Sequence, residues 1–197
     1  MKSGRSFFHP VFGAKLLAGP KRQGDTMKSL LILIVALSLA PAVSAQTLAE
    51  RGTVLDHLSG QWVMTGTIAG QQVVHDIAAE WVLGGHYLYI HELARERDEN
   101  GMPAYEARVY IGWDASSERL VCLWLDVTGG GGLTPEGFGY GTAEGERIPF
   151  VWGEGTGSGI HNTFTYQPEQ DSWAWQIDNV HDGEISNFAR LALHRAD

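Results

Sequence analysis

Between residues 58 and 194 the chain reads as about ten short stretches rich in β-branched and aromatic residues, each closed by turn residues. No part of that span has a helical period, and each stretch has the length of a strand. A long antiparallel meander exposes unpaired backbone at its edges unless it closes on itself. The expected fold is therefore all-β: an antiparallel up-and-down barrel of about ten strands. These are placed at 61–68, 73–82, 87–97, 105–114, 119–127, 138–143, 148–153, 161–167, 173–180 and 184–194. A closed barrel of this size has a lumen, and a lumen implies a guest.

Turn length fixes which residues face one another in a hairpin, and side chains alternate across a strand. A four-residue turn at 115–118 sets Asp114 against Arg119, Ile111 against Cys122, Val109 against Trp124 and Ala107 against Asp126. That face is apolar and points inward. The Asn100-Gly101 turn pairs Arg95 with Glu106 and puts Leu88, Ile90 and Glu92 inside, with Glu92 beside Val109. The turn at 168–171 aligns Tyr166 with Trp173 and Phe164 with Trp175, on the face shared by Asn162 and Ile177. Asp182-Gly183 aligns Asn179 with Ser186, Ile177 with Phe188 and Trp175 with Arg190. Ala69-Gly70 sets Met64 against His75 and Trp62 against Ile77. The deduced interior is an aromatic wall with six polar points: His75, Glu92, Asp126, Asn162, Asn179 and Arg190.

The N-terminal part reads differently. Met27-Lys28-Ser29 leads into the apolar run 30–40, followed by Pro41 and the small-residue site Val43-Ser44-Ala45. This is the pattern of a secretory signal, and the run is shorter than the roughly 20 residues of a membrane helix. Residues 1–26 are expected to be a dispensable extension or a mis-assigned start, 27–45 a signal peptide cleaved after Ala45, and 46–197 the barrel domain. The expected location is the periplasm or outside the cell, with no stable membrane insertion after cleavage. A short helix over 48–58 is expected to plug one barrel mouth.

All four lysines precede the expected cleavage site. From Gln46 onward there are 8 arginines against 22 aspartates and glutamates, a net charge of −14. Such a balance argues against nucleic acid and anionic membrane surfaces as partners. Cys122 is the only cysteine, which rules out an intrachain disulfide. It falls in an apolar strand, where a lone thiol is protected.

The segment Leu58-Ser59-Gly60-Gln61-Trp62 resembles the opening Gly-x-Trp strand of lipocalin-like (calycin) barrels. The segment from Glu80 to Leu88, then Gly112-Trp113-Asp114 and Trp124-Leu125-Asp126, follows in an order similar to a bacterial lipocalin-like family of unknown function. His86 stands where that family commonly has Arg, and Trp113 where it has Tyr. The resemblance implies a calycin barrel and supplies no activity.

A carboxylate in an apolar lumen is costly unless paired, so Glu92 and Asp126 are the sharpest candidates. Either would receive a guest's donor groups, or act as general acid or base with a raised pKa. Arg190 offers a two-pronged donor for a carboxylate or phosphate. Calycin barrels also stack a late-strand Arg on the early Trp, here Trp62. Trp124, with Trp113 and Trp175, makes a stacking wall, while His75, Asn162 and Asn179 orient a polar guest. The expected ligand-binding set is thus His75, Glu92, Trp124, Asp126, Asn162, Asn179 and Arg190. No His-x-His pair exists, and neither a metal nor a cofactor is expected. The leading function is binding of a small, partly apolar molecule. The rivals are a lumen decarboxylase or cyclase using Glu92, Asp126 and Arg190, and a homodimeric interaction module that covers the outward Val121, Leu123 and Leu125.

Overall fold

Every stretch marked in the sequence forms a strand. A computed structural model of the chain describes residues 47–51, 53–130, 132–155 and 157–197. The expected signal segment and the extension before it lie outside these residues. The strands are β1 Gly60–Ile68, β2 Gln71–Val82, β3 Tyr87–Ala94, β4 Glu106–Asp114 and β5 Arg119–Asp126. They continue with β6 Phe138–Gly141, β7 Arg147–Trp152, β8 Gly159–Gln167, β9 Ser172–His181 and β10 Glu184–Arg195. Each pairs antiparallel with its neighbours in sequence, and β1 pairs with β10, so the ten strands close into a barrel.

Most of the deduced registers are present. Asp114 faces Arg119, Val109 faces Trp124 and Ala107 faces Asp126. Met64 faces His75, and Phe164 faces Trp175. Two registers differ. In the β3–β4 hairpin Glu92 faces Ala107, not Val109, and Leu93, not Arg95, faces Glu106. The connection is wider than an Asn-Gly turn. The Asp98 carboxylate accepts the Asn100 and Met102 N–H groups, and the Asp98 N–H reaches the Met102 carbonyl. The resulting slip is two residues, so Glu92 still points inward. Arg95 pairs instead with Asp76 on the outside.

The second difference inverts a face. A bulge between Asn187 and Ala189 shifts β10 against β9 by one residue. Leu191, not Arg190, now faces Trp175, and every later residue of β10 changes side. The Arg190 side chain lies on the outer surface, where Nη2 donates to Asp178 Oδ1 at 2.6 Å. It is not a lumen residue.

The expected single helix over 48–58 is replaced by two 3-10 turns, Ala49–Arg51 and Val54–Leu58. Thr53 starts the second by accepting the Leu55 N–H, which interrupts a continuous helix. These turns lie against the end of the barrel that holds the β4–β5 and β8–β9 connections. Leu48, Leu55 and Leu58 are buried there, His57 stacks on Tyr166, and Arg51 lies over Trp113. Trp113 therefore belongs to this closed end and not to a wall around a guest.

Arg195 closes the seam between the first and last strands. Its guanidinium sits 3.8 Å from the centre of the buried Trp62 ring. It donates to the Ser59 and His57 carbonyls at 2.7 and 3.2 Å. The Arg–Trp stack anticipated for Arg190 is made by Arg195. Gly66 allows the two strands to approach, since a Cβ there would lie 2.1 Å from the Arg190 carbonyl oxygen. The outward Val121, Leu123 and Leu125 are half-buried opposite Tyr140, Tyr110 and Arg108.

Arg195→Ala removes a stacked cation and two carbonyl partners, and is expected to cost about 1–2 kcal/mol. Arg195→Lys restores the charge but not the planar fork, and should recover less than half of that. Urea unfolding of the three proteins measures both; equal stabilities would remove Arg195 from the seam.

Candidate functional site

The inward residues change character along the barrel axis. On β3 they run Leu88, Ile90, Glu92, Ala94 from the closed end toward the other mouth. The closed half is filled by Trp62, Met64, Phe150, Phe164 and Trp173, all buried. Burying an apolar side chain of this size contributes about 1.5–3 kcal/mol. Toward the β1–β2, β3–β4 and β9–β10 turns the filling stops. A cavity of about 720 Å3 opens there, within the size range of small-molecule sites.

His75 on β2 and Glu92 on β3 form its floor. The ring Nδ1 lies 2.5 Å from Glu92 Oε1, and both side chains are buried. Burial is the largest influence on Glu92 and pushes its carboxyl above the usual carboxylate range; His75 pulls the other way, and Asp126 adds a smaller upward push. The other imidazole nitrogen, Nε2, has no hydrogen-bond partner among the described residues. It is not an enclosed orphan either, so it meets the cavity that His75 lines.

A second cluster stands on β4 and β5. Glu92, Ala107 and Asp126 follow one another across three strands, and the small Ala107 leaves room between the two acids. Tyr105, two residues before Ala107, shares its side. Its hydroxyl donates to Asp126 Oδ2 at 3.1 Å and accepts the Trp124 indole N–H at 3.2 Å. Burial first, then the Glu92 and Asp126 carboxyls, hold the Tyr105 proton well above the usual phenol range. Tyr105 is thus a neutral donor. The other Asp126 oxygen accepts the Thr128 N–H and hydroxyl at 2.8 and 2.5 Å. The Tyr105 ring also stacks at 5.7 Å on His75, which joins the two clusters.

The opposite wall is aromatic. Trp175 stacks on Phe164 at 4.7 Å and meets Trp124 at 5.5 Å. Its indole N–H donates to Asn162 Oδ1 at 2.5 Å. That bond fixes the amide orientation and leaves the Asn162 NH2 toward the cavity. Trp152 covers Gly139, where a Cβ would lie 2.5 Å from the indole, and donates to the Gly137 carbonyl at 3.2 Å.

Of the seven residues expected to bind a guest, His75, Glu92, Trp124, Asp126 and Asn162 line this cavity. Asn179 does not; it is exposed beside the β9–β10 turn, opposite Ser186. Arg190 is outside, so among the described residues Glu92 and Asp126 have no arginine beside them, and the set of Glu92, Asp126 and Arg190 is not assembled. Tyr105 and Trp152 were not among the expected residues. Carrying the β4 alternation two residues back from Ala107 would have found Tyr105. Cys122 is fully buried, and burial pushes its thiol up. Among the described residues no three histidine, cysteine or acidic side chains gather as a metal site.

No protein-family model matches the chain, and no curated protein matches it. Among solved structures, the crystal structure of Rv2717c from M. tuberculosis is similar with a TM-score of 0.45 and 12% sequence identity, over 73% of this chain and 98% of that one.

The raised Glu92 carboxyl gives a pH dependence of known sign. His75, Tyr105 and Asp126 are the titratable groups facing it. Above the ordinary value of 4.5 the unfolded chain releases a proton that native Glu92 retains. Stability then falls as pH rises through that window. The unfolding midpoint of the wild type should drop relative to Glu92→Gln over this range and converge with it at lower pH. Parallel profiles for the two proteins would contradict the assignment.

Proposed function

We propose that this protein is an exported, lipocalin-like carrier that holds a small, partly apolar molecule in the open half of its barrel. One observation carries the reading. The barrel is filled by large buried side chains at one end, yet keeps a chamber at the other, with hydrogen-bonding groups placed on an apolar wall. An unfilled interior forgoes packing energy, and a buried polar group without a partner costs more. His75 Nε2 and the Asn162 NH2 offer a guest hydrogen bonds that no neighbouring side chain takes. The export reading rests on the signal-like segment 27–45. The same domain carries a net charge of −14, which disfavours nucleic acid and anionic membranes as partners.

The His75–Glu92 pair favours a second reading, acid/base chemistry in the same chamber. A carboxylate that orients an imidazole is the arrangement a general base requires. Glu92→Gln separates the two: a carrier keeps most of its affinity, while an enzyme loses turnover.

The carrier reading is tested by native mass spectrometry of the protein as isolated, followed by a thermal-shift screen against a metabolite panel. A ligand at a hundred times its Kd should stabilise the fold by about 2.7 kcal/mol, several degrees in Tm. Ala94→Phe, which fills the chamber above His75, should abolish that shift with the barrel intact. A panel that leaves Tm and tryptophan fluorescence unchanged, with nothing co-isolated, would end the proposal.

A further inference from the structure

The chamber is charged with one sign. The ionisable side chains that line it are the acids Glu92, Glu96, Asp126 and Glu136, the phenol Tyr105 and a single base, His75. No lysine or arginine lines it among the described residues. Four arginines of the domain are used elsewhere: Arg190 on Asp178, Arg95 on Asp76 and Arg119 on Glu154, all on the outside, and Arg195 at the seam.

Within this set Glu92 is engaged by the one base, His75, whose Nδ1 lies 2.5 Å from Glu92 Oε1. Asp126 is different. It accepts from Tyr105 and twice from Thr128, which suits an ionised carboxylate, yet no cation stands beside it among the described residues. The side wall of the chamber therefore carries an acid with no base beside it, and Glu96 and Glu136 add two more at the exposed rim. Low-dielectric walls focus such a field toward the mouth.

The walls suit a particular kind of cation. Trp124 lies on the same face of β5 as Asp126, two residues away, and meets Trp175 at 51° and 5.5 Å. Two tilted indoles beside a carboxylate are the elements of a cation–π corner. Ile68, Val73, Phe188 and Leu191 supply an apolar surface for the rest of the molecule. A bare metal ion would need several oxygens converging on one point, and no such group exists among the described residues. His75, 4% exposed and unpartnered at Nε2, gives a further polar contact to a guest already seated.

We propose that the chamber selects an organic monocation, an ammonium head held at Asp126 against Trp124 and Trp175 with an apolar body along the remaining wall. This specifies the ligand class of the carrier reading and rests on it. An anion would enter against three acids that no base offsets, and a neutral molecule would strip water from Asp126 without supplying a counter-charge.

The test uses matched probes on the purified protein. One set is benzyltrimethylammonium, its uncharged carbon isostere neopentylbenzene, and phenylacetate; two further sets carry a primary and a tertiary amine. Titration calorimetry and tryptophan quenching measure Kd. At least one cation should bind about tenfold or more tighter than its neutral isostere, a difference of about 1.4 kcal/mol, and weaken with added salt. Asp126→Asn should erase that preference and leave the neutral probe within about twofold. Trp124→Leu should also weaken the cation, which keeps the test decisive if the aspartate variant fails to fold. Neutral or anionic probes binding as tightly as the cations, or a preference that survives in Asp126→Asn, would overturn the charge assignment and leave the carrier intact. Failure of every probe, together with an empty metabolite screen, would overturn both.

Discussion

The pairing of β1 with β10 determines what is inside this molecule. Once the last strand lies beside the first, every strand has one face toward a common interior, and no side chain can be moved there singly. Trp62 and Arg195 hold this seam from its two sides, the indole buried beneath and the guanidinium above it, joined to carbonyls of the entering chain. The Trp62 indole N–H itself donates to the Leu58 carbonyl at 2.7 Å. The segment that precedes β1 is thereby tied to the end of the barrel it covers. Closure, end-capping and the sealing of one mouth are a single mechanical unit, which is why the chamber opens at the other mouth.

The interior was legible wherever a turn length set the parity of its strands. Four residues at 115–118 and two at Ala69-Gly70 gave the faces of Trp124, Asp126 and His75 directly. The two hairpins whose registers differ show what parity does and does not protect. Between β3 and β4 the offset is two residues, and a shift of two leaves each side chain on its own face. Glu92 is inside although the partner deduced for it was incorrect. Between β9 and β10 the offset is one, and Arg190 is exchanged for Leu191. A signal for this bulge was present. Ala189, Leu191 and Leu193 form an apolar alternation that demands the interior, and Phe188 breaks it by standing next to Ala189. The alternation of a strand's far end outranks the turn whenever the two disagree, because burial of three apolar side chains outweighs one regular backbone pairing.

Loops were beyond this kind of reading. The wide β3–β4 connection is shaped by one carboxylate, Asp98, accepting two backbone N–H groups, and hydrogen bonds of that kind depend on local geometry that residue types do not specify. Tyr105, at the end of that loop, was nonetheless within reach, since it shares the parity of the inward Ala107. Thr53 divides the N-terminal segment by capping within it, where the apolar spacing of Leu48, Leu55 and Leu58 alone suggests one helix.

The site can be read as two different solutions to one electrostatic problem. A carboxylate under a barrel wall must lose its charge, find a cation or gather donors. Glu92, deep in the floor, has its proton affinity raised by burial and an imidazole nitrogen 2.5 Å from its oxygen. Asp126, two strands away and nearer the mouth, takes the third course and gathers donors from Tyr105 and Thr128. The depth of each group decides which solution is available, because donors satisfy hydrogen bonding without cancelling charge, and a bare charge is tolerable only where water or a guest reaches it. The chamber thus has an acid–base pair in its floor and a donor-held acid on its side wall, and the two are coupled through the Tyr105 ring and hydroxyl. A guest that neutralises Asp126 also lowers the field at Glu92, since the Asp126 carboxyl raises the proton affinity of Glu92. Occupancy of the wall and protonation of the floor are therefore linked quantities, and neither belongs to one residue alone.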